Sequence, residues 1–345
     1  MKRSHWLILV ALSAALLSVC PSAAQTSAPE PTPPQKSSDE LKPLLIKAYR
    51  QNTIASITGP YHLLASFETF SSDGKPAGKG SIERWSIAPT RQKTVTHFRD
   101  HTMTDYFVDG KHRYTDDGFD GTIMLYRVYE SIFNSMPLPR GWELEQPEYK
   151  PMQSEDAAMD CALYQFSINE SSSTPIPLEE SFCLSPETHE FVLTQAQLLN
   201  TAYTDYAPFQ DRSIARTISI AANTATRATI HLEQLDETMP ADAAMLPPAD
   251  ASPVSPGPEW LDTTRDEDRP RHRVEPRQIK SPVAVLVLRS RAGKIKDIEP
   301  IAGPAPTIQN VIDAVKNWTY APLIREDNNP VETISAVAFG FPGHK

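Results

Sequence analysis

The sequence predicts an α+β protein: a large curved antiparallel sheet with packed helices on one side, a Pro-rich linker, and a small β-β-α-β unit at the C-terminal end. Three observations predict it. Between Tyr61 and Leu235, short runs of alternating apolar and polar residues are separated by turn signals such as Asp73-Gly74 and Asp109-Gly110. The 32 prolines concentrate in Pro29 to Pro34 and Pro240 to Pro282, which marks extended segments rather than a Pro-rich fold. Beyond Pro282 the hydrophobic period changes in the order strand, strand, helix, strand.

A chain of 345 residues is long for one domain and comfortable for two. An apolar content of 40% with 22% charged residues is ordinary for a globular protein with a real core. The formal net charge is −10, and loss of Lys2 and Arg3 with a leader would make it two charges more negative. An acidic chain without a long basic stripe is a poor partner for nucleic acid or anionic membrane surfaces, so both classes are excluded.

Met1 to Gln25 has the form of a secretory signal: Lys2-Arg3, an apolar run from Trp6 to Val19, and Ser22-Ala23-Ala24 as a small-residue cleavage site. The apolar run is short for a transmembrane helix. Two alternatives remain. One is an uncleaved anchor through residues 6–19. The other is lipidation at Cys20, although Val19 stands where a bacterial lipobox carries Gly, Ala or Ser. Cleavage after Ala24 leaves Cys161 and Cys183, expected to pair because an exported chain meets an oxidising compartment. They lie in neighbouring predicted strands, so the bridge would staple a hairpin.

Taken in order, residues 1–24 are the signal and 25–38 a disordered tether. Asp39 to Gln51 places Leu41, Leu44, Leu45, Ala48 and Tyr49 at helical spacing, with Asp39 as the expected cap. Strands are expected at Tyr61 to Phe70, Gly80 to Ile87, Arg91 to Phe98, Met103 to Val108 and His112 to Thr115, joined as a meander. An apolar helix over Thr122 to Ser135 follows. Strands resume at Cys161 to Ile168, Phe182 to Leu184, Glu190 to Gln197, Ser213 to Ala221 and Thr226 to Leu235. The large domain covers 39–238 and the linker 239–281, whose composition is expected not to bury enough apolar surface to order itself. The small domain covers 282–345. It holds the run Val283 to Leu288, a break at Ala292-Gly293, a run Lys294 to Ile298, the stripe Ile308, Val311, Ile312, Val315 and Trp318, and a strand Ile334 to Phe341.

The small domain resembles the C-terminal domain of TonB-like proteins. The residues that carry the resemblance are Gly293, Asp313-Ala314-Val315 leading to Trp318-Thr319-Tyr320-Ala321-Pro322, the turn Asn329-Pro330-Val331, and the closing Val337, Phe339 and Phe341. Such domains usually begin with a Tyr-Pro segment and a short helix, whereas only Val274-Glu275-Pro276 precedes the first strand here. The resemblance implies docking of an envelope protein by strand addition at Ile334, Ala336, Ala338 and Phe339. Residues 41 to 235 resemble the periplasmic lipoprotein carriers of the LolA family. The features are a helix ahead of Phe67-Glu68-Thr69-Phe70, the long meander, and Tyr203-Thr204-Asp205-Tyr206 before the last hairpin. That resemblance implies a half-barrel whose concave face shelters a lipid or acyl chain.

His97, Asp100, His101, Asp105, His112 and Asp116 form the most metal-like cluster, since His with carboxylate suits zinc. On one continuous strand, however, His97 and His101 would stand about 13 Å apart, too far for one ion. These residues are therefore expected on a solvated face, with no metal and no cofactor. Asp116 to Gly121 has a fragment of a calcium loop without its spaced ligands or closing Glu. No G-x-S-x-G, H-E-x-x-H or phosphate-binding Gly loop occurs, so no enzyme is expected. The expected function is that of a periplasmic, non-catalytic binding protein with a lipid- or lipoprotein-binding half-barrel and a docking module. The alternatives are an adaptor whose half-barrel is filled by its own side chains, a TonB-type energy transducer if the N-terminus is an uncleaved anchor, and a metal-dependent hydrolase.

Overall fold

Helix α1, Ser38–Asn52, opens the chain of the computed structural model, which describes residues 37–136, 147–153, 158–168, 176–196, 199–222, 225–253, 257–260, 270–271, 276, 279, 281–324 and 329–339. The helix is capped by Ser37 rather than Asp39. Ser37 Oγ accepts from the Glu40 amide at 3.3 Å, and the Glu40 carboxylate accepts from the Ser37 amide at 2.7 Å. This reciprocal pair satisfies two orphan N–H groups at once, which a lone Asp39 cannot do. The leader and Cys20 lie outside the described residues.

Five strands follow: β1 (Tyr61–Phe70), β2 (Pro76–Ala88), β3 (Arg91–Phe98), β4 (His101–Val108) and β5 (Lys111–Asp116). Helix α2, Ile123–Phe133, comes next, its first turn capped by Thr122, whose hydroxyl accepts from the Leu125 amide. Seven more strands complete one antiparallel sheet: β6 (Glu148–Gln153), β7 (Ala158–Ile168), β8 (Ile176–Leu184), β9 (Phe191–Ala196), β10 (Leu199–Phe209), β11 (Arg212–Ala222) and β12 (Ala225–Asp236). The order across the sheet is β5-β4-β3-β2-β1-β12-β11-β10-β9-β8-β7-β6. Two meanders therefore meet where β1 pairs with β12, and the strands on either side of α2 in the chain, β5 and β6, are the two outer edges.

Alternation gives this sheet one apolar face. Leu63, Ala65 and Phe67 of β1 share it with Ile82, Phe98, Phe182, Ile218, Ile220, Ile230 and Leu232, all buried. Leu41, Leu45 and Ala48 of α1, and Leu125, Val128 and Ile132 of α2, join the same core.

The α+β assignment with packed helices is corrected by this architecture. The chain is mostly β, and its helices are single elements laid against sheets instead of a helical layer. Two strands drive the difference because their sequence hides them. β6 is interrupted by Pro151. β10 carries polar Asn200, Thr204 and Asp205 and a proline at 208, and Asp205 has φ of 55°, which breaks the alternation.

The small sheet has the order β13-β18-β14-β15, from β13 (Glu259–Trp260), β14 (Val283–Arg289), β15 (Ile295–Ala302) and β18 (Thr333–Phe339). Helix α3, Ala305–Val315, covers one face, and β16 (Leu323–Ile324) pairs with β17 (Pro330–Val331) beside it. At the β14–β15 turn Gly293 has φ of 76°, and a Cβ there would stand 2.2 Å from the Tyr320 carbonyl oxygen, so only glycine fits. Every residue of β14 is buried. Val283, Val285 and Val287 face α3 and Trp318, whereas Ala284, Leu286 and Leu288 face away from it toward Ile123 of α2. A strand covered on both faces reads as a continuous apolar run, which is the physical reason for V-A-V-L-V-L.

The first part of the Pro-rich segment is ordered, against the expectation from its composition. A single turn over Asp242–Met245 brings Met245 to full burial, the Lys93 ammonium donates to the Ala244 carbonyl at 3.1 Å, and Tyr114 and Ser252 exchange backbone hydrogen bonds of 2.7 and 2.8 Å. One fully buried thioether and a few backbone bonds suffice to hold a segment whose prolines carry little chain entropy to lose. Both sheets belong to one compact unit, Lys36–Lys345, and among the described residues no helix is long and apolar enough to cross a membrane.

Cys161 and Cys183 stand directly opposite one another on β7 and β8 and are disulfide-bonded, both fully buried. Thiol titration of the denatured protein is expected to find neither cysteine free. Reduction, or a Cys161→Ala/Cys183→Ala pair, is expected to lower the unfolding free energy by about 3 kcal/mol in denaturant titration.

Candidate functional site

Helix α2 is the element on which the molecule's buried chemistry converges. Its period sends Leu125, Val128 and Ile132 into the core of the large sheet and turns Ile123 and Tyr126 toward the small one, where they meet Leu286, Leu288, Ile301, Ile334 and Ala336. Farther along, the Tyr129 hydroxyl bonds to Thr96 of β3, and the Arg84 guanidinium sits 3.4 Å from the centroid of the Phe133 ring. One helix thus fills the inner face of the large sheet and also forms the floor for the small one.

Charged groups fix the contact with the small sheet. The Ile123 amide donates to Asp297 at 2.9 Å, which satisfies an N–H that the first helical turn leaves without a helical partner. Lys296 is held between Asp120 and Glu332, the latter at 2.7 Å. Arg227 of β12 lies 3.5 Å from Glu299 of β15, and both side chains are nearly inaccessible. Burial raises the Glu299 carboxyl above its ordinary range, with Arg227 and Arg127 pulling the other way.

On the other side of α2, a small cavity lies between the helix and strands β8 to β11. It offers about 50 Å³ of space and is lined by Arg127, Glu130, Ser131, Glu180, Thr201 and Tyr203, among others. The room accommodates a few waters or a small polar group and falls well short of the several hundred Å³ typical of a lipid-sized site. Arg127 and Glu130 pair across one helical turn at 3.0 Å. Glu180 stands on the same strand face as Phe182 and Leu184. Burial pushes its carboxyl up to about 7, against the pull of Arg127 and with an added push from Glu130.

The residues singled out in the sequence fall elsewhere. Because β3 ends at Phe98 and β4 begins at His101, a tight turn separates the histidines that one continuous strand would have aligned. His97 pairs with Thr102 at 2.9 Å, His101 with Asp117 at 3.2 Å, and His112 with Asp105 at 2.9 Å. Among the described residues no three His, Cys, Asp or Glu side chains come together as a metal set. Asp116 accepts from the Gly118 amide in a local turn, and Asp120 is engaged with Lys296. The strand that carries Ile334, Ala336, Ala338 and Phe339 lies between β13 and β14 rather than at an outer edge, with Glu259 and Trp260 aligned along Thr333 and Ile334. Its addition site is therefore occupied at Ile334 by the chain's own strand, and Phe341 lies outside the described residues. Sequence reasoning missed Glu180 and Glu299. The available signal was a carboxylate in phase with apolar neighbours: Glu180 with Phe182 and Leu184, Glu299 with Ile301.

No family model matches the chain, and no curated protein matches it. Solved structures similar to it include a domain described as outer membrane lipoprotein-sorting from Vibrio parahaemolyticus, 8% identical over 60% of this chain and 97% of that one, with a TM-score of 0.38. A LolA superfamily protein from Nitrosomonas europaea is 9% identical over 61% and 98%, with a TM-score of 0.35. The MucA/MucB complex of Pseudomonas aeruginosa is 10% identical over 74% and 82%, with a TM-score of 0.28. The first two are of the class that residues 41 to 235 resemble in sequence, and none of the three concerns a TonB C-terminal domain. With TM-scores below 0.5, these likenesses carry no argument about what this chain binds.

Two outcomes follow from the charges around α2. Arg227→Met alone is expected to destabilise by about 3–5 kcal/mol, because it leaves Glu299 buried without its cation, while Arg227→Met with Glu299→Leu costs much less; denaturant unfolding of the three proteins checks this. Glu180 holds its proton in the folded state up to about pH 7 but releases it near 4.5 when unfolded. The folded state therefore binds more protons across that window, and stability falls as pH rises through it. Glu180→Gln is accordingly expected to be more stable than the parent at pH 8, by about 3 kcal/mol at most, with the gain vanishing toward pH 4.5.

Proposed function

We propose that this chain is an exported, non-catalytic binding protein of the cell envelope that acts as an adaptor, with the inner face of its large sheet filled by its own helices. The leader pattern of Met1 to Gln25 and the buried Cys161–Cys183 bridge support export into an oxidising compartment. The observation that carries the adaptor reading is α2. Its inner side chains are buried against the large sheet, where an acyl chain would have to lie, and its outer side chains are buried against the small sheet. To admit a lipid, the helix would have to leave both packed surfaces, at a cost of order 1.5–3 kcal/mol for each large apolar side chain exposed.

Native mass spectrometry with lipid extraction, on protein purified from its own host, tests this. The protein is expected at its bare polypeptide mass, without co-purified lipid. A stoichiometric lipid would restore the carrier function and sink the adaptor one.

A further inference from the structure

The cavity beside α2 has a chemical bias that its charges alone do not reveal. Ser131 Oγ donates to Arg127 O at 2.8 Å, Thr194 Oγ1 to Ser135 O at 3.2 Å, and the Tyr203 hydroxyl, 3.4 Å from Ser135 O, also bonds to the Ser131 and Thr194 side chains. These hydroxyls thus satisfy the backbone and one another, and among the described residues none of them donates to Glu180. Glu180 adds a carboxylate whose ionised form is poorly solvated there. Its formal charges are one cation, Arg127, already paired with Glu130, against two carboxylates. The cavity is thus small, negative by one charge when Glu180 is ionised, and holds a carboxylate to which no hydrogen-bond donor is directed among the described residues.

We propose that this cavity is a binding site for a primary alkylammonium group, either a free small amine or the side chain of a lysine on a partner. An ammonium supplies three N–H donors and no acceptor, is compact, and restores charge balance beside Glu180. An anion would instead meet the two carboxylates, Glu130 and Glu180. A quaternary ammonium brings charge without N–H donors and is too bulky for about 50 Å³ of room. Asn134, an exposed residue at the C-terminal end of α2, also lines the cavity. The groups that face Glu180 are Arg127 and Glu130 from α2, Tyr203 from β10 and Tyr164 opposite it on β7; the ammonium favours the ionised carboxylate over the protonated one. Binding therefore weakens as pH falls through about 7, the value to which burial raises Glu180. This inference deepens the binding role proposed above and rests on α2 staying in place over the inner face.

The test is thermal unfolding of the full-length protein at pH 8 in tens of millimolar butylammonium chloride, tetramethylammonium chloride and sodium chloride at equal ionic strength. Butylammonium is expected to raise Tm in a concentration-dependent way, the other two salts not, and the apparent affinity to drop about tenfold per pH unit below about 7. Glu180→Gln, expected to fold at least as well as the parent, should lose about tenfold or more in affinity. Equal shifts in all three salts, or an undiminished response in Glu180→Gln, would overturn the site. A lysine peptide that binds where its norleucine counterpart does not assigns the group to a protein partner; a response to butylammonium alone assigns it to a free amine. Co-purified lipid would defeat the adaptor function without touching the Glu180 dependence, so the two failures are distinguishable.

Discussion

The structure depends on one helix being buried on two opposite sides. An amphipathic helix at the surface of a sheet has one apolar stripe to hide, but α2 has two: Leu125, Val128 and Ile132 against the large sheet, Ile123 and Tyr126 against the small one. The small sheet has the reciprocal problem. Its central strand β14 is apolar on both faces, and α3 covers only one of them. Each element supplies what the other lacks, so the large and small sheets are held as one body although some 45 residues separate β12 from β14 in the chain.

Burying both sides of α2 forces its polar residues into low-dielectric surroundings, and the charges near it follow from that. Arg127 lies in the middle of the helix, paired with Glu130, and its field reaches Glu180 on the large sheet and Glu299 on the small one. Arg227 from β12 gives Glu299 a second cation. Guanidinium groups along one seam thus offset part of the burial cost of two carboxylates on different sheets, although burial still holds both above the ordinary range. Arginine suits this position better than lysine, because its planar fork engages several acceptors and it stays charged when buried.

Much of the fold was legible because burial and alternation write themselves into residue types. Tyr61 to Phe70 and Arg91 to Phe98 alternate and are strands with those bounds, and V-A-V-L-V-L is short, β-branched and buried on both faces, as a doubly covered strand is. What escaped was whatever alternation did not encode. β10 has polar residues and a positive φ at Asp205, and the partner of β14's second face lies in α2, far away in sequence. The neighbours of the last strand were hidden for a related reason. Periodicity shows that Ile334 to Phe339 is a strand but is silent about its neighbours, and the two residues that line its outer side, Glu259 and Trp260, come from a Pro-rich stretch. The cavity was the least legible feature, since its lining comes from α2 and four strands that are far apart in sequence.

The cavity bears on how a buried polar site differs from a polar defect. A defect leaves donors and acceptors unmatched on both sides, and the fold then tends to replace it with apolar groups. Beside α2 the hydroxyls bond to backbone carbonyls and to one another, and what stands among the described residues without a hydrogen-bond donor is a carboxylate that burial holds partly protonated. Ionising Glu180 at neutral pH costs stability, because the pull of Arg127, which also pairs with Glu130, does not offset burial. A glutamine would fill the same space without that penalty. A carboxylate in a small cavity with no donor directed at it among the described residues has a donor-rich cation as its chemical complement.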